Sequence, residues 1–424
     1  MDTASESTRV RSAPQSAAEL PVVTERALVT RQPIYGPAMT VMGYELLYSP
    51  AEAAARLPAQ RRAATLRVLA DAVLEVGLDR LAAGLPVHLQ YPRELLVESS
   101  PLSLQPSRVV IETVADRPQD RELIAGLRRL RTRGHHIALD ARGLGVNDPE
   151  LLEVLDIVKL DVSRETPQQL DRLVPELVRQ GLRLIARGVQ TLDQFEHCAA
   201  LGFEGFEGDF LHRPETFRAQ RVPSSRVTTL QLLAALQDED YAVDEVEELI
   251  SRDIALAYRV LRCINSSYYG LPRKVESIRQ GIVILGLDNL RQLCTLVALH
   301  GFDDRPSTLF VTAMTRARMC EQLARMAGVR DTGPYFITGL FSLLDVLTGM
   351  ALPQLLDQLP LAPAVERALI AHEGDLGAAL RCTRAYERAS WTHVRYGTLD
   401  PQLIRAAYVD AVFWSEQTQA IISH

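Results

Sequence analysis

The chain has 424 residues, 47% of them hydrophobic, and 53 Asp and Glu residues outnumber 46 Lys and Arg residues for a formal charge of −7. This composition excludes a disordered, a collagen-like or a small disulfide-stabilised protein, and the length predicts two domains that each bury a core. The acidic balance argues against nucleic acid as a partner. Residues 1–24 are rich in Ser, Ala and Thr without periodicity, which predicts a disordered leader.

Residues 25–214 alternate short apolar runs with longer amphipathic segments. A hairpin is predicted where ALVTRQPIY and TVMGYELLY flank GPA, and two later amphipathic segments end on the glycine typical of a helix C-terminus. Strands separated by helices of this length indicate βα units around a parallel sheet, and seven or eight of them favour a closed βα barrel. The predicted strands after the hairpin are VHLQ, RVVIE, HIALD, DIVKL, LRLIA and GFEGFEG.

The pattern changes after Pro214. Residues 215–226 are polar and interrupted by proline, which predicts a linker. Residues 227–424 show apolar positions three and four apart with a break every 10 to 15 residues, as in VDEVEELIS and IALAYRVLRCIN. The overall fold class is therefore an α/β barrel followed by an all-helical domain.

Two residue types bear on chemistry and compartment. Only Lys159 and Lys274 are lysines among the basic residues. The alternatives are a codon bias toward arginine and positions that need a compact ammonium rather than a guanidinium. The cysteines have no zinc-like spacing, no apolar stretch reaches 18 residues and no secretory leader is present, so we expect buried free thiols in a cytoplasmic protein without a membrane partner. The cysteines are Cys198, Cys263, Cys294, Cys320 and Cys382.

Polar groups lie at successive C-terminal ends of the predicted barrel strands, where the reactive groups of such barrels project. Several carboxylates converging from different strands are typical of a divalent-metal or phosphate site. The alternative is that each acid faces solvent or caps the next helix. These strand-end residues are Glu45, His88, Glu112, Asp140, Lys159, Arg187 and Glu207.

Seven segments of the barrel half, taken in order, resemble EAL domains, the fold of cyclic di-GMP phosphodiesterases. They are RQPIYGPAMTVMGYELLY, VHLQYPRELL, VVIETVAD, HHIALDARGLG, DIVKLDVSRE, LIARGVQT and GFEGFEGDFLHRP, which together cover about residues 27 to 214. The resemblance implies a modified TIM barrel that holds two metal ions and cyclic di-GMP at its mouth.

The resemblance also implies that part of the enzyme site is altered. The chain keeps Glu45, Glu112, Asp140 and Lys159 of the family's site. The site positions where it departs from the family are His88 in place of Asn, Ala141 in place of the second Asp, Arg187 in place of Glu, and Glu207 where Gln is usual.

Without the paired aspartates, an oxygen that bridges two cations is missing, so we expect a degenerate site with no catalytic residues, no metal and no cofactor. Arg187 is predicted to form ion pairs with Glu45, Glu112 or Asp140 in place of a cation, the alternative being that it points into solvent. If hydrolysis survives, Mg²⁺ or Mn²⁺ would be the cofactor. Cyclic di-GMP without metal would contact Gln32, Glu45 and Lys159.

The second half resembles HDOD domains, helical relatives of the HD phosphohydrolases. The marks are SRDIAL, NSSYYG and LGLDNLRQL, and the two halves together resemble the YuxH-like EAL/HDOD signalling proteins. No His-Asp dipeptide occurs, and GLFSLLD offers only Asp345 where metal ligands would stand, so no hydrolase chemistry is expected here. Aromatic and basic side chains suggest an interaction surface at Tyr268, Tyr269, Arg273 and Lys274.

We therefore expect a non-catalytic signalling protein of the cyclic di-GMP network, controlling motility, biofilm formation or virulence through contacts with other signalling proteins. The alternatives are a cyclic di-GMP sensor that does not hydrolyse its ligand and a weak cyclic di-GMP phosphodiesterase. The oligomeric state stays open, with a dimer as one alternative.

Overall fold

The computed structural model of the chain describes residues 28–48, 77–97, 105–114, 119–141, 148–212, 232, 236, 242–266, 274–300, 306–357, 359 and 361–423. The predicted leader, the predicted linker and the amphipathic segment RRAATLRVLADAVLEVG up to residue 76 lie outside these residues.

Eight strands close into a barrel, which confirms the predicted architecture of the first half. The first strand runs antiparallel to both of its neighbours, and every other neighbouring pair is parallel. The strands are β1 (Val29–Tyr35), β2 (Val41–Tyr48), β3 (Val87–Gln90), β4 (Val109–Val114), β5 (His136–Asp140), β6 (Ile157–Asp161), β7 (Arg183–Arg187) and β8 (Gly205–Phe206).

Side-chain caps fix where the longer barrel helices begin. The Thr166 and Thr191 side chains each accept a hydrogen bond from a backbone N–H of the first turn, and Asp120 does the same for its helix. The barrel helices are α1 (Leu78–Ala82), α2 (Arg93–Val97), α3 (Arg121–Thr132), α4 (Pro149–Leu152), α5 (Pro167–Arg179) and α6 (Leu192–Leu201), followed by a 3₁₀ turn at Phe210–His212.

The second half is helical wherever the structure describes its regular elements, as predicted. Its helices are α7 (Val243–Arg252), α8 (Ile254–Ile264), α9 (Ile278–Leu285), α10 (Leu287–His300), α11 (Ser307–Met326), α12 (Gly333–Phe341), α13 (Leu344–Thr348), α14 (Leu352–Leu356), α15 (Pro363–Ala371), α16 (Gly374–Glu387) and α17 (Pro401–Ser423). A 3₁₀ turn at Trp391–His393 joins the last two. All five cysteines are buried free thiols. Within the described part of the chain, no helix is long and apolar enough to cross a membrane.

The helical half is anchored to β1 by buried polar contacts. Thr30 donates a 2.9 Å hydrogen bond from Oγ1 to the Tyr408 hydroxyl, and the Tyr386 hydroxyl donates to the Val29 carbonyl at 3.1 Å. Arg31 forms a 2.5 Å ion pair with Glu416 of α17. Leaving a buried polar group without a hydrogen-bond partner costs free energy. These contacts therefore hold α16 and α17 at one place on the barrel.

Candidate functional site

The strand ends bring the predicted polar residues together at the mouth of the barrel. Glu45 lies on β2, Glu112 on β4 and Asp140 at the end of β5, and each is almost fully buried. Since parallel strands of a barrel end at the same rim, residues far apart in sequence converge here. Lys159 on β6, Arg187 at the end of β7 and Glu207 directly after β8 complete this set, which we call the rim cluster.

Lys159 is the centre of the rim cluster. Its Nζ lies 2.6 Å from a carboxylate oxygen of Glu112, 2.8 Å from Glu207 and 2.9 Å from Glu45, and its side chain has 0% exposure. Burial alone lowers the pKa of Lys159, but the charges of Glu207, Glu112 and Glu45 outweigh it and raise that pKa above its ordinary value. The ammonium is therefore charged and enclosed by carboxyl groups.

Arg187 lies beside Lys159 and makes the ion pairs predicted for it. Its guanidinium is 2.5 Å from Asp140, 3.1 Å from Glu207 and 3.3 Å from Glu45. Burial lowers the pKa of Arg187, and the carboxylates led by Glu45 more than reverse this effect. A planar guanidinium can donate hydrogen bonds to several carboxylates at once. This is the role that the sequence predicts for Arg187 in place of a metal cation.

The carboxyl groups of the rim cluster do not share one charge state. Burial works against ionisation of Glu45, but Lys159 and Arg187 hold its pKa at about 2. Burial raises the pKa of Glu207 to about 8 and also raises that of Glu112. At neutral pH Glu45 is therefore ionised, whereas Glu207 keeps its proton.

Two of the four substituted positions, His88 and Ala141, contribute no metal-binding oxygen. His88 is buried on β3 opposite Glu45, and burial together with the Lys159 charge holds its pKa well below the ordinary value, so the ring is neutral. Ala141 reaches the cluster only through its backbone, whose N–H donates to the Lys159 carbonyl at 3.0 Å.

A pair of metal ions does not fit this arrangement. Among the described residues, no group of three His, Cys, Asp or Glu side chains is placed so that it could hold a metal ion. The physical reason is that the Lys159 ammonium and the Arg187 guanidinium occupy the space between the carboxylates. In addition, Ala141 stands where a second carboxylate would be expected beside Asp140. A metal ion would compete with Arg187 for these carboxylate oxygens.

A cavity of about 840 Å³ opens directly over the rim cluster. Asp140, Arg187 and Glu207 line its floor, and Gln32 of β1, which pairs with Glu45 in the sheet register, lines its side. Glu45 and Lys159 lie beneath this floor at 2% and 0% exposure. The Lys159 ammonium and the Glu45 carboxylate are paired with each other there, and their contact with a ligand stays a prediction.

The opposite wall of the cavity comes from the helical half, which the sequence reasoning missed. α11, α16 and α17 contribute side chains to it, together with Asp209 and His212 from the segment after β8. Nothing local in the sequence signals the helical part of this wall, because its residues follow the last barrel strand by more than 100 residues. Its helical residues include Thr308, Thr312, Arg316, Arg388, Tyr408 and Gln419.

The predicted features of the helical half are only partly described. Tyr268, Tyr269 and Arg273 lie outside the described residues, and Lys274 is exposed. Asn265 ends α8 and ties it to Val275 through two hydrogen bonds, donating to the carbonyl at 2.8 Å and accepting from the N–H at 2.7 Å. Burial raises the pKa of Asp345, whose carboxylate accepts from the Val346 N–H.

Comparison with known proteins matches the HDOD domain family to residues 222–380. The cyclic di-GMP phosphodiesterase CdgJ of Vibrio cholerae is 30% identical over 405 residues, which span 93% of this chain and 93% of CdgJ. The uncharacterised protein YuxH of Bacillus subtilis is 28% identical over 400 residues, covering 92% of this chain and 98% of YuxH. The resemblance of the helical half to HDOD domains is thereby confirmed.

Among solved structures, the calcium and cyclic di-GMP complex of Klebsiella pneumoniae BlrP1 is 21% identical and has a TM-score of 0.38. The match covers 45% of this chain and 56% of BlrP1.

The expectation that the chain is not an enzyme is wrong. The finding that overturns it is the likeness to CdgJ, a protein named as a phosphodiesterase, over nearly the whole length of both chains.

Proposed function

This chain belongs to the family of the Vibrio cholerae protein CdgJ, and from that membership we propose that it acts in cyclic di-GMP signalling through the mouth of its barrel. In this proposal the cavity over the rim cluster receives cyclic di-GMP, and the HDOD half transmits the event to other signalling proteins.

The observation that carries the proposal is the position of the cavity. Its volume of about 840 Å³ lies within the range of roughly 300–1,000 Å³ usual for small-molecule sites. Its floor is polar and carries Arg187, whose guanidinium suits a phosphate, and its side carries Gln32, whose amide suits the edge of a base.

The charge balance of the rim cluster supports binding of an anion. Four buried carboxyl groups alone would repel the two phosphates of cyclic di-GMP. Lys159 and Arg187 compensate part of that charge, and a pKa of about 8 keeps Glu207 uncharged at neutral pH. The rim cluster therefore opposes an anion less than four ionised carboxylates would.

Hydrolysis of cyclic di-GMP is a second candidate function, favoured by the name of CdgJ. The chain's own contribution would be Glu207, which lines the cavity and whose pKa of about 8 keeps it protonated at neutral pH. A carboxylic acid in that state can give a proton to a leaving oxygen.

Binding and turnover are tested separately on the full chain. Titration calorimetry with cyclic di-GMP should show binding by the wild type and weaker binding by Gln32→Ala. The matched control is Gln105→Ala, an exposed glutamine just before β4, which should bind like the wild type. A folded wild type that releases no heat on titration contradicts the proposal.

Turnover is followed by chromatography of the linear dinucleotide product, with Mg²⁺ or Mn²⁺ present. Loss of product in both Glu207→Gln and Glu45→Ala supports hydrolysis at the rim cluster. Equal turnover in these variants and the wild type assigns the activity to a contaminant or to another site.

A further inference from the structure

The cavity has two walls, and the second belongs to the helical half. Thr308 and Thr312 of α11, Tyr408 and Gln419 of α17, and Arg388 after α16 all line it. A helix face that only packs against a barrel would bury apolar side chains, whereas this face presents hydroxyl, amide and guanidinium groups to an open volume.

The helical wall cannot move away from the barrel without breaking buried contacts. Tyr386 and Tyr408 bond to β1, and Arg31 reaches both Glu416 of α17 and the Leu81 carbonyl of α1. The guanidinium of Arg31 also lies 4.3 Å from the centre of the Tyr44 ring. The position of the wall relative to the rim cluster is therefore set by the fold.

Two arginines of the helical half face the cavity, and they differ in how they are held. Arg316 is 7% exposed, and its Nε lies 2.9 Å from Glu387 while Nη1 donates to the Ser342 hydroxyl. Arg388 is 50% exposed, and a 3.3 Å ion pair joins it to Asp209, itself 43% exposed. Exposed ion pairs contribute little, so a phosphate can replace Asp209 as the partner of Arg388.

We propose that the helical half forms part of the ligand site and that Arg388 is its contact to a phosphate of a nucleotide-sized anion held between the two halves. A guanidinium binds a phosphate through two parallel N–H donors, which gives both charge and orientation. The identity of that anion as cyclic di-GMP rests on the proposed function, whereas the role of Arg388 does not.

The test compares Arg388→Ala with Arg325→Ala in the full chain. Arg325 is a matched control because it belongs to the same half, is 52% exposed and pairs with one carboxylate, Glu321, but does not line this cavity. Calorimetric titrations use cyclic di-GMP and, separately, inorganic pyrophosphate. We expect Arg388→Ala to weaken cyclic di-GMP binding by about tenfold or more, the effect of losing a charge-assisted hydrogen bond.

Arg388→Lys distinguishes the loss of a phosphate contact from a loss of folded structure. It keeps the charge and loses the paired donors, so its affinity should lie between those of the wild type and Arg388→Ala, with an unchanged melting temperature. Arg325→Ala should bind within about twofold of the wild type, as expected for a surface substitution remote from the ligand.

The two probes separate the outcomes. If only pyrophosphate binds, and Arg388→Ala weakens it, the cyclic di-GMP function fails while the role of Arg388 stands. If Arg388→Ala binds both probes as tightly as the wild type, or if the wild type binds neither, the two-walled site is wrong.

Discussion

Replacing Lys159 by methionine should unfold the barrel at a markedly lower temperature. The substitution keeps the length of the side chain but removes the ammonium that lies 2.6–2.9 Å from Glu45, Glu112 and Glu207. Removing one partner of a buried ion pair costs about 3–5 kcal/mol, because the other charge stays buried. For a domain of this size, that loss corresponds to a fall in melting temperature of roughly 6–20 °C.

Scanning calorimetry of the full chain measures this shift. The control is Lys274→Met, the same change at the chain's other lysine, which is exposed and should alter stability by no more than about 0.5 kcal/mol. Adding Glu207→Gln to Lys159→Met should restore part of the loss, since it removes a carboxyl group left without its ammonium. A Lys159→Met barrel that melts with the Lys274→Met control would refute the reasoning about the rim cluster.

Three further predictions concern the rim cluster and the anchor on β1. Arg187→Glu should bind Mn²⁺ more tightly than the wild type in calorimetric titration, because it exchanges a guanidinium for a carboxylate. Equal affinity would count against the idea that Arg187 takes the place of a metal ion. Glu207 binds its proton more tightly folded than unfolded, so stability should fall between pH 4.5 and 8 by up to about 1.4 kcal/mol per pH unit. Glu207→Gln should reduce that slope in denaturant titrations, and an unchanged slope assigns it elsewhere. Tyr408→Phe leaves the Thr30 hydroxyl buried without its acceptor, so denaturation should show a loss of about 1–3 kcal/mol; no loss would argue against a fixed contact.

The barrel strands could be predicted because each is a short apolar run between helical segments. HIALD coincides with β5, and DIVKL and LRLIA differ from β6 and β7 by one residue at each end. The ends differ because the last residue of a strand, such as Asp161 or Arg187, is polar and pairs with its neighbour only in the sheet. The presence of a strand is thus local information, whereas its first and last residues depend on pairing with the neighbouring strands.

The second wall of the cavity could not be predicted, since it depends on contacts across more than 350 residues. Thr30 and Tyr408 are both ordinary core residues in the local pattern, and only the folded chain shows their hydrogen bond. The same holds for the roles of Glu45 and Lys159. Their types and positions at strand ends were readable, but their burial beneath the cavity floor follows from packing against each other.

The composition of the chain gains a physical explanation at Lys159. Almost every basic position of the chain carries arginine rather than lysine. At Lys159, however, three carboxyl groups from different parts of the barrel lie within 2.9 Å of one nitrogen. An ammonium can donate in three directions from a single atom, whereas a guanidinium spreads its donors over a rigid plane. Arg187 shows the contrast, since its contacts run from 2.5 to 3.9 Å along the edge of the cluster. The enclosed centre therefore requires lysine for its geometry, and this requirement holds whether or not a ligand occupies the cavity above.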